Sequence, residues 1–115
     1  MLITLKYIAL FLLMVSCTYN YIQPEETPDL VSYEQHIQPI FNNNCIACHN
    51  GNYASPNLNE GFSFDALIYG SYIDTTSLTN STLIIKINDQ HYGGMPSSSE
   101  IDMITKWIEK GALNN

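Results

Sequence analysis

The chain is predicted to fold as an all-α domain. Apolar residues recur at helical spacing, Ser-x-x-Glu/Gln capping signatures open such stretches at Ser32 and Ser97, and no segment alternates apolar and polar side chains as a half-buried strand would.

Ser32-Tyr33-Glu34-Gln35 opens the first helix, which runs through Phe41 with Asn44 as its outer limit. Tyr33, Ile37, Ile40 and Phe41 fall at i, i+4, i+7 and i+8 and make one apolar stripe. Pro39 interrupts it: inside a helix its ring would clash with the Gln35 carbonyl, so a kink or a later helix start is expected. His36 reads as a solvated helix residue. Asn50 to Gly61, rich in Asn, Gly, Ser and Pro, is loop. Phe64 to Tyr69, capped by Ser63 and stopped by Gly70, is a short helix, and Asn80 or Ser81 caps another over Leu83 to Ile87. Gln90 to Pro96 is a glycine-broken loop.

The last helix carries the fullest set of signals. Ser97 and Glu100 form its capping box, and Gly111 stands where a C-terminal glycine belongs. Glu100 and Asp102 in the first turn and Lys110 in the last complement the helix dipole. Ile101, Ile104 and Ile108 make its apolar stripe, widened by Met103 and Trp107.

Residues 1–16 have the pattern of a targeting segment: Lys6 supplies positive charge, Ile8 to Val15 is an unbroken apolar run of signal-peptide length, and Leu2 to Val15 is too short for a comfortable membrane span. Leu13-Met14-Val15-Ser16-Cys17 resembles the lipobox of bacterial lipoproteins, with Met14 where Leu is more usual. The resemblance implies a lipidated Cys17 as first mature residue, an exported domain and a membrane anchor. Residues 17–31, with Pro24, Pro28 and several acids, read as a flexible tether, and 32–115 as one domain. Removing 16 of the 115 residues leaves 99, near the lower range for an independent core. The mature part carries eleven acids against three lysines and no arginine, a net charge of −8. That balance argues against nucleic-acid binding and for partners with a basic docking patch.

Cys45-Ile46-Ala47-Cys48-His49 is the segment that carries chemistry. Positions i, i+3 and i+4 share one face of a helical turn. Two thiols at i and i+3 can therefore add to the two vinyl groups of one haem, with the next imidazole aimed at the iron, which is the attachment signature of haem c. A zinc site would need a second pair of Cys or His ligands, and the remaining Cys17, His36 and His91 form none. A thioredoxin-like dithiol would need a βαβ context that is absent from the pattern. Two cysteines for haem and one for lipid leave none for a disulfide.

Iron held by His49 needs a ligand opposite. Met95, in Gly93-Gly94-Met95-Pro96, is the leading candidate: the glycines let backbone approach the haem, and Pro96 stiffens the exit. Met103 lies in an amphipathic helix, where Met is commonly core filler. His91, four residues before Met95, is the rival, and an open sixth site is the third possibility.

The haem motif, the Met-Pro loop and the capped final helix, in that order, make the chain resemble a small class I cytochrome c over roughly Tyr33 to Ala112. The resemblance implies a cytochrome c-like fold, a few short helices around one covalently bound haem, with the first helix crossing the last. Phe41, four before Cys45, and Ile104, Trp107 and Ile108 match the family's pattern for those helices. Pro56-Asn57-Leu58 is similar to a run that follows the haem motif in such proteins, implying that the Pro56 carbonyl accepts from the second His49 nitrogen. Ile37 stands where the family commonly has a small residue, so the contact between the terminal helices is expected to differ.

The expected function is single-electron transfer by an exported monohaem cytochrome, not an enzyme in its own right, docking transiently on redox partners. The alternatives are a haem subunit of a periplasmic oxidoreductase or peroxidase complex, and a haem-based sensor with an open or His91-ligated sixth site.

Overall fold

The computed structural model describes residues 28–89, 91 and 93–115; the expected leader, Cys17 and most of the expected tether lie outside them. Among the described residues the fold is all-α, without strands. A π-helical turn, Tyr33–Ile37, runs directly into α1, Gln38–Asn44. Then follow α2, Ser63–Tyr69, a 3-10 turn, Leu78–Asn80, α3, Thr82–Asn88, and α4, Ser98–Glu109.

The π-helical turn answers the conflict that Pro39 raises. The Ile37 N–H reaches back five residues to the Ser32 carbonyl at 3.4 Å, and the Gln38 N–H does the same to Tyr33. This wider turn precedes Pro39, which then falls in the first turn of α1, where a missing N–H costs least. The helix is continued through a widened turn and not broken.

Its N-terminus is closed by residues from three places. Ser32 Oγ accepts from the Gln35 N–H at 3.2 Å, one half of the expected capping box. The other half is taken by His36, whose Nδ1 accepts from the Ser32 N–H at 2.9 Å. His36 is thus a half-buried cap and not the solvated residue its position suggests. Asn115 supplies the rest: its Oδ1 accepts from the Tyr33 N–H at 2.9 Å, and its main-chain oxygen accepts from the Glu34 N–H at 3.0 Å. All four of the donors that a helix start leaves unpaired are satisfied in this way.

Two shorter helices depart from the expected caps. Ser63 lies inside α2 and is buried, its hydroxyl turned to Gln38 and Tyr33. Ser81 does precede α3, but its hydroxyl bridges the N–H and carbonyl of Asp74 at 2.8 and 3.1 Å instead of capping. In both cases a tertiary partner competes successfully for a hydroxyl that local geometry would have used.

α4 follows its local signals. Ser97 and Glu100 make both bonds of the capping box. Beyond its end, Gly111 adopts φ +101°, the left-handed conformation that terminates helices, and the Ala112 N–H returns to the Trp107 carbonyl at 2.9 Å. Its inward face, Ile104, Trp107 and Ile108, is buried against the π-helical turn, where Tyr33 and Ile37 are buried too. The Tyr33 ring lies 5.1 Å from Trp107 and 5.1 Å from Phe64, the latter edge-on. All four residues of the first helix's apolar stripe are in this core, as is Val31, the last residue of the expected tether. At roughly 1.5–3 kcal/mol for each large apolar side chain removed from water, this packing is the main force holding the terminal segments together.

Candidate functional site

α1 delivers the chain into the turn over Cys45 to His49. Cys45 is its C-cap, with its N–H on the Phe41 carbonyl at 2.8 Å. The Cys48 and His49 N–H groups both return to the Cys45 carbonyl, at 3.2 and 2.9 Å. One tight turn therefore carries both thiols and the imidazole. Asn44 Nδ2 fastens this corner to its surroundings, donating to the Ile40 carbonyl at 2.9 Å and to Glu100 Oε1 at 3.3 Å.

The two thiols differ. Cys45 is half-buried, and burial followed by the nearby Glu100 carboxylate pushes its thiol up to about 11. Cys48 is exposed, and neither is in a disulfide.

His49 Nδ1 lies 3.0 Å from the Pro56 carbonyl oxygen. A carbonyl only accepts, so this contact places the proton on Nδ1 and leaves the Nε2 lone pair directed away from the loop. The loop that carries Pro56 is pinned at its ends: the Leu58 N–H donates to the His49 carbonyl at 2.8 Å, and Asn59 Nδ2 donates to the Asn50 carbonyl at 2.9 Å. Opposite stands His91, its Nε2 3.5 Å from His49 Nε2 and its ring centroid 5.7 Å away.

Cys45, Cys48, His49, Pro56, His91 and Met95 all line one partly open cleft with a cavity volume of about 180 Å³. Leu58, Leu67, Leu83 and Ile87 supply apolar wall. Among the described residues no aspartate or glutamate lines it, and Lys86 is the one lysine that does. The acidic surface thus stops at the rim of an apolar, weakly basic recess.

Met95 is 41 % exposed at the lip of this cleft, followed by a buried Pro96. The two glycines before it line the same cleft and also make a close backbone contact. Gly94 packs on the backbone of Asn44, at the end of α1, and Gly93 takes φ +114° to bring the chain there. The facing of His49 by His91 and the second role of Glu100 beside Cys45 have no local signal, because both pair residues more than 40 positions apart. Cys17 lies outside the described residues.

Compared with protein-family models, curated proteins and solved structures, the chain matches none.

Proposed function

We propose that this chain is an exported monohaem c-type cytochrome that carries single electrons between redox partners. The observation that carries the reading is the convergence of Cys45, Cys48 and His49 from one turn onto one apolar cleft. The donor set fits the group: two thiols outside any disulfide, and an imidazole whose Nδ1 is engaged and whose Nε2 is directed away from the loop.

In this reading Cys45 and Cys48 hold haem c by thioether bonds, and His49 and Met95 ligate its iron. Bound there, the haem supplies a one-electron ferric/ferrous couple. The chain's own residues then tune it. Pro56 keeps the proton on His49 Nδ1 and strengthens Nε2 as a donor, while the Leu and Ile walls keep water from the metal. A lipid on Cys17 would anchor the domain outside the cell, and the acidic surface would steer it to partners with a basic patch.

A second reading gives the sixth position to His91. Its Nε2 stands 3.5 Å from that of His49, so the two imidazoles would be able to hold one metal between them.

Expression with a haem-attachment system, a haem stain on a denaturing gel and a reduced-minus-oxidised spectrum test the proposal. Stained protein with a c-type spectrum is the expected result. Colourless protein with both thiols open to alkylation would overturn it. In the ferric form, a methionine–iron charge-transfer band assigns the sixth place to Met95, and its absence in a six-coordinate spectrum assigns it to His91.

A further inference from the structure

We propose that Gln38 is the positioning residue for the His49 imidazole: it holds the Leu58 carbonyl, so that the loop presents the Pro56 carbonyl to His49 Nδ1. The consequence for the metal rests on the haem reading; the positioning itself does not.

Gln38 lies in the first turn of α1 and is 5 % exposed, a rare place for an amide side chain. Every polar group of that amide is engaged. Nε2 donates to the Leu58 carbonyl at 3.0 Å and to Asn42 Oδ1 at 2.8 Å, while Oε1 accepts from the Ser63 hydroxyl. Ser63 in turn accepts from the Tyr33 hydroxyl at 2.6 Å. The network has one consistent orientation. Both groups facing Nε2 are carbonyl oxygens, so a flipped amide would set oxygen against oxygen twice. Burial pushes Tyr33 up to about 12, so its hydroxyl remains the donor that starts the chain.

The other end of the network is the axial loop. Leu58 gives its carbonyl to Gln38 and its N–H to the His49 carbonyl at 2.8 Å, so both sides of one residue are fixed. Pro56 is two residues away, and its carbonyl meets His49 Nδ1 at 3.0 Å. Released from Gln38, the Leu58 carbonyl would be buried without a partner, and the loop would move to recover one. Such a movement takes the Pro56 oxygen off Nδ1.

A Nδ1–H bonded to a carbonyl makes the imidazole a stronger donor through Nε2, which favours ferric iron. Gln38→Met keeps the volume and removes the donor. In haem-loaded protein it is expected to shift the balance three- to tenfold toward ferrous, about 30–60 mV at ~59 mV per tenfold. Asn42→Ala removes the other acceptor of the same Nε2 and is expected to leave the potential unchanged. A haem-loaded Gln38→Met protein with the original potential would overturn the proposal, as would an equal shift in Asn42→Ala. Gln38→Glu, which keeps the acceptor for Ser63 and loses the donor, serves if Gln38→Met does not fold.

The haem-free chain gives a readout that needs no cofactor. Nitrogen-15 NMR should find His49 as the Nδ1–H tautomer in the unmodified chain and shifted toward Nε2–H in Gln38→Met. An Nε2–H tautomer in the unmodified chain overturns the positioning role outright. Failure of the haem reading looks different: no haem attaches, while the tautomer effect persists.

Discussion

Gly94 lies so close to Asn44 that a β-carbon on it would stand 2.8 Å from the Asn44 carbonyl oxygen. The end of α1 and the Met95 loop therefore touch backbone to backbone, immediately beside the turn that carries Cys45, Cys48 and His49. Gly94→Ala should push the loop outward, at about 1–3 kcal/mol for overpacking. Denaturant unfolding would measure the loss. Carbon monoxide should bind the reduced, haem-loaded variant faster than the parent, and unchanged binding would mean that the loop does not guard the sixth position.

The two candidates for that position separate cleanly by substitution. Met95→Ala should open the iron to carbon monoxide and abolish any methionine charge-transfer band, while His91→Ala leaves both as they were. The reverse pattern assigns the ligand to His91, whose ring already faces His49.

Alkaline stability should distinguish the haem-free from the haem-loaded chain. Below pH 9 the Cys45 thiol is protonated whether the chain is folded or not. Above its ordinary value of 9.0 the unfolded chain gives up that proton, while the folded chain holds it until about 11, so stability falls across this interval. Tyr33 acts likewise between 10.0 and about 12. As a thioether, Cys45 has no proton to lose. Urea midpoints against pH should therefore begin to fall near 9 without haem and near 10 with it. Coincident onsets would show that attachment leaves the Cys45 proton in place.

Ser97→Ala removes one partner of the capping box at the start of α4 and should cost about 1 kcal/mol in thermal or denaturant unfolding. Because Glu100 also holds Asn44 Nδ2, Glu100→Ala should cost more and should loosen the corner that carries Cys45. Equal losses in the two variants would mean that the Asn44 contact contributes nothing measurable.

The elements that could be read in advance are those whose information lies within a few residues. Ser97 and Glu100 are three apart, Gly111 follows the last turn, and the apolar spacing of Tyr33, Ile37, Ile40 and Phe41 needs no partner to be recognised. The turn over Cys45 to His49 is of this kind, since its two thiols and its imidazole lie within five consecutive residues. Ser63 and Ser81 looked like caps for the same local reason. They serve elsewhere because Gln38, 25 positions from Ser63, and the backbone of Asp74, seven positions before Ser81, take up their hydroxyls. Pro39 predicted a disturbance but not its form, which depends on how far the turn before it can widen.

By itself, then, the sequence determined that the chain is helical, where its last helix starts and stops, and which short segment gathers thiols and imidazole on one face. Each of these follows from backbone periodicity and from side chains that reach only a turn or so. Tertiary structure alone decided that Asn115 closes the first helix, that Gly94 rests on Asn44, and that His91 comes to face His49. Those contacts join residues 42 to 82 positions apart, which meet because the apolar faces of the first and last helices, Ile104, Trp107 and Ile108 among them, are buried against each other.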